Sequence, residues 1–460
     1  MRAILASSIG VVCTAVLLAP LAAPAGAASG PAAGPGQDSG RPASTQSLPL
    51  TPLDADNATQ RAGAASQDAA DGSGTAGAEL AARDVEPFSL VGVVWEGRAD
   101  ELHGQVQVRS RATGTAEWSG WQELEAHGDD APDQDSDEHR GGTVRSGTAP
   151  MWVGDSDGVQ VRVRPEAHEP APLPRGLRVE LVDPGSAPAG GADGKAGAAP
   201  PPELTPEESA SSAVNAQLAS IGAELIPPLS KEQTEADLVA AHDGRLADGT
   251  EEARGSQSRP YVGPRPGIVT RRGWRANEKL REKSFPYNKS LKAAFIHHTA
   301  MSNNYTCRQA PSIIRGIYRY HVKSLGWRDI GYNFLIDKCG TIYEGRAGGV
   351  TKAVRGAHTY GFNGSSMGIA VLGSYSSTRP TRASVNGVAK LTSWKLGLWG
   401  LNPIGSVTMV SGGGKYKKGS KVRMRAVSGH RDGFSTECPG AQLYSRLDTI
   451  RSTAARLQGR

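Results

Sequence analysis

Two stretches that are poor in large apolar side chains divide the 460-residue chain into segments that fold and segments that do not. Residues 28–85 and 184–258 are rich in Ala, Gly, Pro and acidic residues, and they contain few aromatic or β-branched side chains. Such segments bury too little apolar surface to offset the entropy lost on ordering. We predict a disordered spacer over 28–85 and a linker over 184–258 with a short helix at 205–226. Two folded domains, at 86–183 and 259–460, complete the prediction.

The first 27 residues have the features of a secretory signal peptide. Arg2 supplies the positive start, residues 3–21 are almost entirely apolar or small, and Ala25-Gly26-Ala27 offers an A-x-A cleavage site. No second long apolar run follows, so we expect no membrane span. The prediction is a secreted, extracellular protein from which Cys13 is removed with the signal peptide.

The overall formal charge of +5 conceals a division along the chain. From Ser256 onward 34 Lys/Arg stand against 8 Asp/Glu, a formal +26, whereas the remainder has 17 against 38, or −21. A domain this basic is attracted to polyanions, and charge that serves solubility alone is the alternative. Anionic polymers of a bacterial cell wall fit an exported protein. We expect no nucleic-acid partner, because the interleaved aromatic residues and motifs of such proteins are missing.

Residues 86–183 have the pattern of a small all-β sandwich. Val159, Val161 and Val163 alternate with polar residues, which is the period of a half-exposed strand, and similar short runs are separated by turn residues. Four tryptophans either pack in the core or form a face on which sugars stack: Trp95, Trp118, Trp121 and Trp152.

The acidic segment DDAPDQDSDEH, residues 129–139, lies between predicted strands of this domain. Asp133, Asp135 and Asp137 alternate as they do at the start of a calcium loop. However, Glu138 replaces the required Gly, and Val144 stands where the closing Glu belongs. We therefore interpret the segment as a solvated loop, with calcium binding as the alternative.

Residues 259–460 mix the patterns of strands and helices. AAFIHH, YNFLID, TIYEGR and MGIAVLG are predicted strands, and residues 311–324 have an apolar helical face. This mixture predicts an α/β domain with a central mixed sheet flanked by helices. Within it, the basic, Gly-rich GGGKYKKGSKVRMR predicts an inserted loop or hairpin, which either grips anionic wall polymer or is simply solvated.

Two adjacent histidines end the apolar run KAAFIHHTA. His297 and His298 point to opposite faces if this run is a strand, so they do not easily serve one site. Far downstream, GHRDGFSTECPG contributes His430 and Cys438. Two imidazoles and a thiolate leave the fourth tetrahedral position of a zinc ion open for water, which is the arrangement of a catalytic rather than a structural zinc.

Seven sequence blocks between residues 268 and 444 carry a specific resemblance. In order they are RRGWRA, IHHTA, HVKSLGWRDIGYNFLID, GTIYEGR, GAHTYGFN, SMGIAVLG and GHRDGFSTECPG. They resemble the type 2, zinc-dependent N-acetylmuramoyl-L-alanine amidases, a family shared with the peptidoglycan recognition proteins. The resemblance implies hydrolysis of the amide between N-acetylmuramoyl residues and L-alanine in bacterial peptidoglycan. A non-catalytic module that binds muramyl peptide is the alternative.

The resemblance also implies roles for individual residues. It implies that His297, His430 and Cys438 bind Zn²⁺, while His298 packs behind the strand. It further implies that Tyr332 and Thr436 lie beside the zinc-bound water and donate hydrogen bonds to the developing oxyanion. The residues that fall in blocks lining the substrate groove are Trp274, Arg346, His358 and Asn363.

Three further residues have weaker assignments. Glu437 is a candidate proton donor for the leaving amine by position only, and a solvated carboxylate is the alternative. His321 is expected to brace the fold. The export signal favours a disulfide between Cys307 and Cys339 over free thiols. That pairing leaves Cys438 for the metal and is compatible with a monomer.

Overall fold

The computed structural model describes residues 41–53, 77–97, 102–127, 130–140, 144–165, 173–185, 222–241 and 261–460, with short pieces between 205 and 218. The predicted signal peptide and much of the predicted spacer and linker lie outside the described residues. Among the residues that are described, no helix is long and apolar enough to cross a membrane.

The N-terminal domain consists almost entirely of β-strands. Its sheet follows the order β1-β9-β3-β8-β4-β5, with three short strands joined at its side. The strands are β1 (Ser44–Pro49), β2 (Thr51–Pro52), β3 (Ala78–Trp95), β4 (Gly104–Ala112), β5 (Gln122–Leu124), β6 (Ala126–His127), β7 (Ser146–Thr148), β8 (Met151–Pro165) and β9 (Arg178–Asp183). Helix α1 (Asp137–Arg140) lies between β6 and β7. The alternating valines Val159, Val161 and Val163 are buried in one apolar core, which confirms the predicted all-β domain.

The predicted spacer is wrong over part of its length. Strands β1 and β2 and the first residues of β3 all lie within 28–85. β1 pairs antiparallel with β9, with Ser44 opposite Asp183, and the Arg41 guanidinium lies 2.5 Å from the Asp183 carboxylate. Composition misses this edge strand because STQSLP is largely polar, and its order depends on backbone hydrogen bonds to β9 rather than on side-chain burial.

The four tryptophans of this domain divide into two pairs. Trp95 and Trp152 are buried in apolar clusters. Trp118 and Trp121 are half-buried, and the Arg109 guanidinium lies 5.1 and 5.2 Å from their ring centroids. Core packing is therefore the role of the first pair, whereas the second pair forms a cation–π cluster that is partly open to solvent.

The C-terminal domain is built on a seven-stranded mixed sheet in the order β10-β11-β14-β13-β15-β12-β18. Its strands are β10 (Leu225–Ile226), β11 (Ile268–Val269), β12 (Ala293–His298), β13 (Phe334–Ile336), β14 (Ile342–Glu344), β15 (Ser366–Val371) and β18 (Val427–Gly429). The helices are α2 (Lys231–Ala241), α3 (Ala310–Arg319), α4 (Arg382–Gly397), α5 (His430–Gly433), α6 (Ala441–Tyr444) and α7 (Leu447–Gln458). The predicted α/β class is confirmed.

The folded C-terminal domain begins before residue 259. Strand β10 pairs antiparallel with β11, and Leu238 of α2 is buried in the main core of the domain. The linker prediction is therefore wrong for 225–241, and the helix of this region lies at 231–241 rather than over 205–226. The hairpin expected in the basic insertion forms from β16 (Ser406–Val410) and β17 (Lys421–Arg425).

Helix α3 joins the two domains through apolar contacts. Ile313 and Ile317 on α3 share one buried cluster with Leu90 of β3 and Val182 of β9. Tyr320, directly after α3, packs so closely on β3 that a Cβ added to Gly92 would lie 2.6 Å from its ring. The Tyr320 hydroxyl also donates a hydrogen bond to the Thr148 carbonyl oxygen at 3.1 Å. This apolar interface fixes the N-terminal domain against the C-terminal one.

Candidate metal centre

Two parallel neighbouring strands bring distant histidines together. In the β12–β18 pair, Ile296 is opposite Gly429, so the next residues along the two strands, His297 and His430, emerge side by side. Their ring centroids are 4.4 Å apart, and both side chains are fully buried. The period of two along β12 places His297 on the same face as Phe295 and sends His298 to the opposite face.

Cys438 provides a third donor beside these rings. Its Sγ lies 3.8 Å from Nδ1 of His297, and the ligand atoms of His297, His430 and Cys438 all lie within 4.8 Å of one another. Two ligands of one tetrahedral zinc ion are about 3.3–3.8 Å apart, given its bond lengths to nitrogen and sulfur. The set of two imidazoles and one thiolate therefore has the donor chemistry of a zinc site, and the His297–Cys438 distance matches the spacing of two zinc ligands.

Cys307 and Cys339 form the predicted disulfide, with an S–S distance of 1.98 Å, which leaves Cys438 outside any cystine. The bridge connects the start of the α3 region to the turn that precedes β14. The two bridged sulfurs are therefore distinct from the sulfur at the candidate site.

Neighbouring side chains orient the His297 ring. The Thr359 hydroxyl lies 3.4 Å from Nε2 of His297, so Nδ1 is the nitrogen that faces Cys438. His358 lies edge-on to His297 at 5.3 Å between centroids. Burial, and then the neighbouring His297, lower the pKa of His358 well below its usual value. His358 is thus a neutral, buried neighbour of the site.

His298 behaves as its strand position predicts. Its Nδ1 accepts a hydrogen bond from the Tyr375 backbone N–H at 3.3 Å, and its Nε2 lies 3.2 Å from a carboxylate oxygen of Glu125. It is buried and hydrogen-bonded on the side of β12 away from the metal ligands.

Tyr332 and Thr436, the two predicted oxyanion donors, have different surroundings. The Tyr332 ring is 5.4 Å from the His297 ring, and its hydroxyl donates a 2.7 Å hydrogen bond to Oδ2 of Asp130. Oδ1 of the same Asp130 lies 3.3 Å from Nδ1 of His297 and 3.5 Å from Nδ1 of His430. The Thr436 hydroxyl accepts a hydrogen bond from the Cys438 backbone N–H at 3.2 Å.

The residues predicted to line the groove do not share one environment. Trp274 has no exposed surface; its indole N–H donates to the Glu344 carbonyl oxygen and its ring packs edge-on against Tyr318. Trp274 therefore packs in the core, and its contact with substrate stays a prediction. Arg346 and Asn363 both contact the N-terminal domain.

His321 and Glu437 occupy unlike positions. His321 is buried, stacks on Trp327 and accepts a hydrogen bond from the Gly331 N–H, so it braces the fold as expected. The Glu437 side chain is 85 % exposed and pairs with Arg431, which favours the solvated carboxylate.

Sequence reasoning missed the acidic segment of the N-terminal domain as part of this site. Asp133 and Glu138 are buried against the C-terminal domain, so the interpretation as a solvated loop is wrong. Asp130 reaches the candidate ligands. The available signal was the coincidence of a dense acidic run in one domain with a strongly basic second domain.

Comparisons with known proteins match the two ends of the chain to different families. Residues 287–441 match the family described as N-acetylmuramoyl-L-alanine amidase. Residues 35–189 match the family described as Rv3811 N-terminal galactose-binding domain-like.

Similar proteins cover the C-terminal part of the chain. Peptidoglycan-recognition protein SC2 of Drosophila simulans is 36% identical over 161 residues, which are 35% of this chain and 73% of that protein. The peptidoglycan recognition protein of Trichoplusia ni is 30% identical over 181 residues, 39% of this chain and 85% of that protein. The solved structure of wild-type Drosophila PGRP-LB is 26% identical, covers 40% of this chain and 92% of that one, and has a TM-score of 0.32.

Proposed function

The chain belongs to the type 2 N-acetylmuramoyl-L-alanine amidase family, which includes the peptidoglycan recognition proteins, and we propose that it is a secreted zinc-dependent amidase. Its substrate is the amide bond between N-acetylmuramoyl residues and L-alanine in bacterial peptidoglycan. The observation that carries the proposal is the buried set of His297, His430 and Cys438, whose donor atoms lie within 4.8 Å of one another.

These three residues would hold the zinc ion. When bound, zinc lowers the pKa of a coordinated water and polarises the substrate carbonyl. Three protein ligands suit a catalytic zinc, because the fourth position stays available to water or substrate. Thr359 supports the arrangement by fixing the orientation of the His297 ring.

Tyr332 and Thr436 are the hydroxyl groups proposed to stabilise the oxyanion. The Tyr332 hydroxyl already donates to a carboxylate oxygen, that of Asp130, beside the two imidazoles. A substrate carbonyl oxygen that replaced this carboxylate would accept the same hydrogen bond. The Thr436 hydroxyl accepts from the Cys438 N–H, and its own hydrogen can still be donated.

Recognition without hydrolysis is the second candidate function. The relatives in Drosophila and Trichoplusia are named for peptidoglycan recognition, and a carboxylate from the N-terminal domain already lies at the metal centre. A recognition module would bind muramyl peptide in the same groove and leave the amide intact.

Mass spectrometry of digested peptidoglycan separates the two functions. Purified cell wall is incubated with the full chain and with Cys438→Ala, and bound zinc is measured in both proteins. We expect free lactyl groups on the sugar and free L-alanine amino termini with the parent, and neither product with the variant. Zinc-loaded parent that binds the wall but releases no stem peptide would establish the recognition function instead.

Export and wall attachment complete the proposal. The signal-like N-terminus and the Cys307–Cys339 disulfide are consistent with an oxidising, extracellular location. The formal +26 of the chain from Ser256 onward would hold the domain near anionic wall polymers. Release of the protein from purified wall by raised salt tests this attraction, because exposed charges are screened.

A further inference from the structure

One segment of the N-terminal domain lies across the groove of the C-terminal domain. This segment, residues 130–138, is here named the acidic loop, and it follows β6 in the chain. It carries five carboxylates: Asp130, Asp133, Asp135, Asp137 and Glu138. Three of them contact residues that the family resemblance places at the metal or in the groove.

Asp130 is at the metal end of the groove. Its two carboxylate oxygens approach His297, His430 and Tyr332 at 3.3, 3.5 and 2.7 Å respectively. These oxygens lie beside the two imidazoles, but Asp130 is outside the set of residues whose ligand atoms are all within 4.8 Å of one another, so it is a neighbour of the metal position. A carboxylate at this place competes with water and with a substrate carbonyl.

Asp133 is held in the middle of the groove by hydrogen-bond donors on three residues. Its Oδ1 accepts from the Gly361 N–H at 2.8 Å and from the Asn363 amide at 3.0 Å, and its Oδ2 accepts from Arg355 at 2.7 Å. The Asn363 amide also donates to the Ala131 carbonyl oxygen at 2.9 Å. These donors therefore bind both a carboxylate and a peptide carbonyl of the acidic loop, two groups that a stem peptide also offers.

Glu138 completes the series through a bidentate ion pair with Arg346. The two guanidinium–carboxylate distances are 2.9 and 3.0 Å, and both side chains are buried. Burial opposes the charge of Arg346, but the carboxylates of Glu138 and Asp329 together raise the pKa of Arg346 above its usual value. Arg346 is thus a charged carboxylate-binding group whose present partner comes from the other domain.

The attachment of the acidic loop differs from that of the rest of its domain. The domain is held to α3 by apolar packing around Leu90 and Val182. The acidic loop instead contacts the groove through its carboxylates and the Ala131 carbonyl, to which the small Ala131 side chain adds an apolar contact. A ligand that supplies equivalent oxygens can replace those contacts one for one. The apolar interface would keep the two domains together when the acidic loop leaves the groove.

We propose that the acidic loop is a resident ligand of the groove that muramyl peptide must displace before it binds. The identity of the competing ligand rests on the proposed function. The full chain is then largely closed to peptidoglycan until the acidic loop leaves, and the apparent affinity for substrate is reduced by the fraction of molecules in which the groove is covered.

Binding measurements on full-length variants test the proposal. The Asp133→Asn/Glu138→Gln variant keeps the shape of the acidic loop but removes the charges that Arg355 and Arg346 hold. Titration calorimetry with N-acetylmuramoyl-L-alanyl-D-isoglutamine, with the ligand checked as intact by mass spectrometry, should give at least about tenfold tighter binding than the parent. The matched control is Asp135→Asn, whose partner Lys418 and own side chain are both exposed; we expect less than about a twofold change.

Hydrogen exchange on the parent protein makes the test independent of whether the variants fold. Addition of the same muramyl peptide should speed exchange in peptides that cover 130–140 and should leave β3 and β9 unchanged. Equal affinity of the parent and the Asp133→Asn/Glu138→Gln variant, or unchanged exchange over 130–140 in the ligand-bound parent, would overturn the proposal. Tighter binding without stem-peptide release by any variant would uphold the displacement and refute only the amidase activity.

Discussion

The N-terminal domain presents carboxylates to the groove, whereas the C-terminal domain presents imidazoles, guanidinium groups and amides. The contrast is clearest in two arginines. Arg271 binds Glu278 and Asp329 within the C-terminal domain, and Arg346 binds Glu138 across the domain boundary. All of these side chains are buried. The first set separates only when the domain unfolds, whereas the second can separate when one loop moves.

This difference indicates how a buried charge can be either structural or available for exchange. A buried ion pair contributes little net stability relative to an apolar core, but loss of one partner is costly while the other stays buried. Inside the C-terminal domain, Glu278 and Asp329 stay buried when Arg271 is removed, so the cost of an unpaired buried charge is incurred in full. When the acidic loop leaves the groove, the Arg346 guanidinium is instead hydrated by water or paired with the carboxylate of another ligand.

The largest effect is expected for Arg271→Ala. This substitution tests the ion pairs of Arg271, which stay within the C-terminal domain. The substitution leaves the Glu278 and Asp329 carboxylates buried without their shared cation, which should lower the free energy of unfolding by about 3–5 kcal/mol. Urea denaturation measures the loss, with the half-buried neighbour Arg272→Ala as the control. A loss below about 1 kcal/mol would show that Glu278 and Asp329 find new partners or water as readily as Glu138 does when it separates from Arg346.

The second test compares Tyr332 and Tyr320, two residues of the C-terminal domain. The hydroxyl of each donates a hydrogen bond to the N-terminal domain. Tyr332→Phe removes the proposed oxyanion donor and should slow amide hydrolysis about 100- to 1000-fold while bound zinc is unchanged. Tyr320→Phe removes the hydroxyl that donates to the Thr148 carbonyl. It should leave the rate unchanged and lower the unfolding free energy by about 1–3 kcal/mol. Similar rate losses in both variants would refute a special role for Tyr332.

A third prediction separates the two kinds of sulfur in the C-terminal domain. The Cys307→Ser/Cys339→Ser variant loses a cross-link between residues 32 positions apart. Its unfolding free energy should fall by about 2–4 kcal/mol, because the unfolded chain gains conformational freedom. Zinc content, measured by atomic absorption, should match the parent since Cys438 is untouched. Loss of zinc in this variant would connect the disulfide to the metal centre.

The last effect, the smallest when taken per pH unit, concerns the pH dependence of stability at Glu344, a buried acid without a bidentate arginine. Burial raises the pKa of Glu344 to about 7, although Asn215 and Arg271 oppose the shift. The folded protein therefore holds a proton that the unfolded chain releases near pH 4.5, so Glu344 contributes stability below that pH and loses it as the pH rises toward 7. Thermal unfolding of Glu344→Gln should show a flatter profile over this window, by up to about 1.4 kcal/mol per pH unit. An unchanged slope would show that Glu344 is already ionised in the folded protein.

Local sequence pattern was sufficient for much of the C-terminal domain. Alternation along KAAFIHHTA separates His297 from His298, and the structure groups only the His297 side chain with those of His430 and Cys438. Alternating valines predicted the all-β character of the N-terminal domain, and the composition of GGGKYKKGSKVRMR predicted a loop or hairpin where the structure has a hairpin. These features depend on residue type and short-range period, which survive in any single sequence.

Local pattern failed where the environment of a residue is set by a distant segment. Trp274 falls in a sequence block of the family, but whether its indole faces a groove or a core depends on Tyr318 and Glu344. The polar strand β1 has no apolar signal of its own and is ordered by β9. The acidic loop has the composition of a solvated segment, and its partners lie far along the chain, from His297, 167 positions after Asp130, to Arg346, 208 positions after Glu138.

The sequence by itself determined the chemistry available to this protein: two imidazoles and a thiolate for a metal, a basic second domain and an acidic first one. Only the tertiary structure decided that Asp130 meets Tyr332, 202 positions apart, and that Glu138 pairs with Arg346. Residue type and local period specify elements of secondary structure. The contact between the acidic loop and the groove instead depends on how α3 packs against β3 and β9, because that apolar interface sets the position of the N-terminal domain and of its carboxylates.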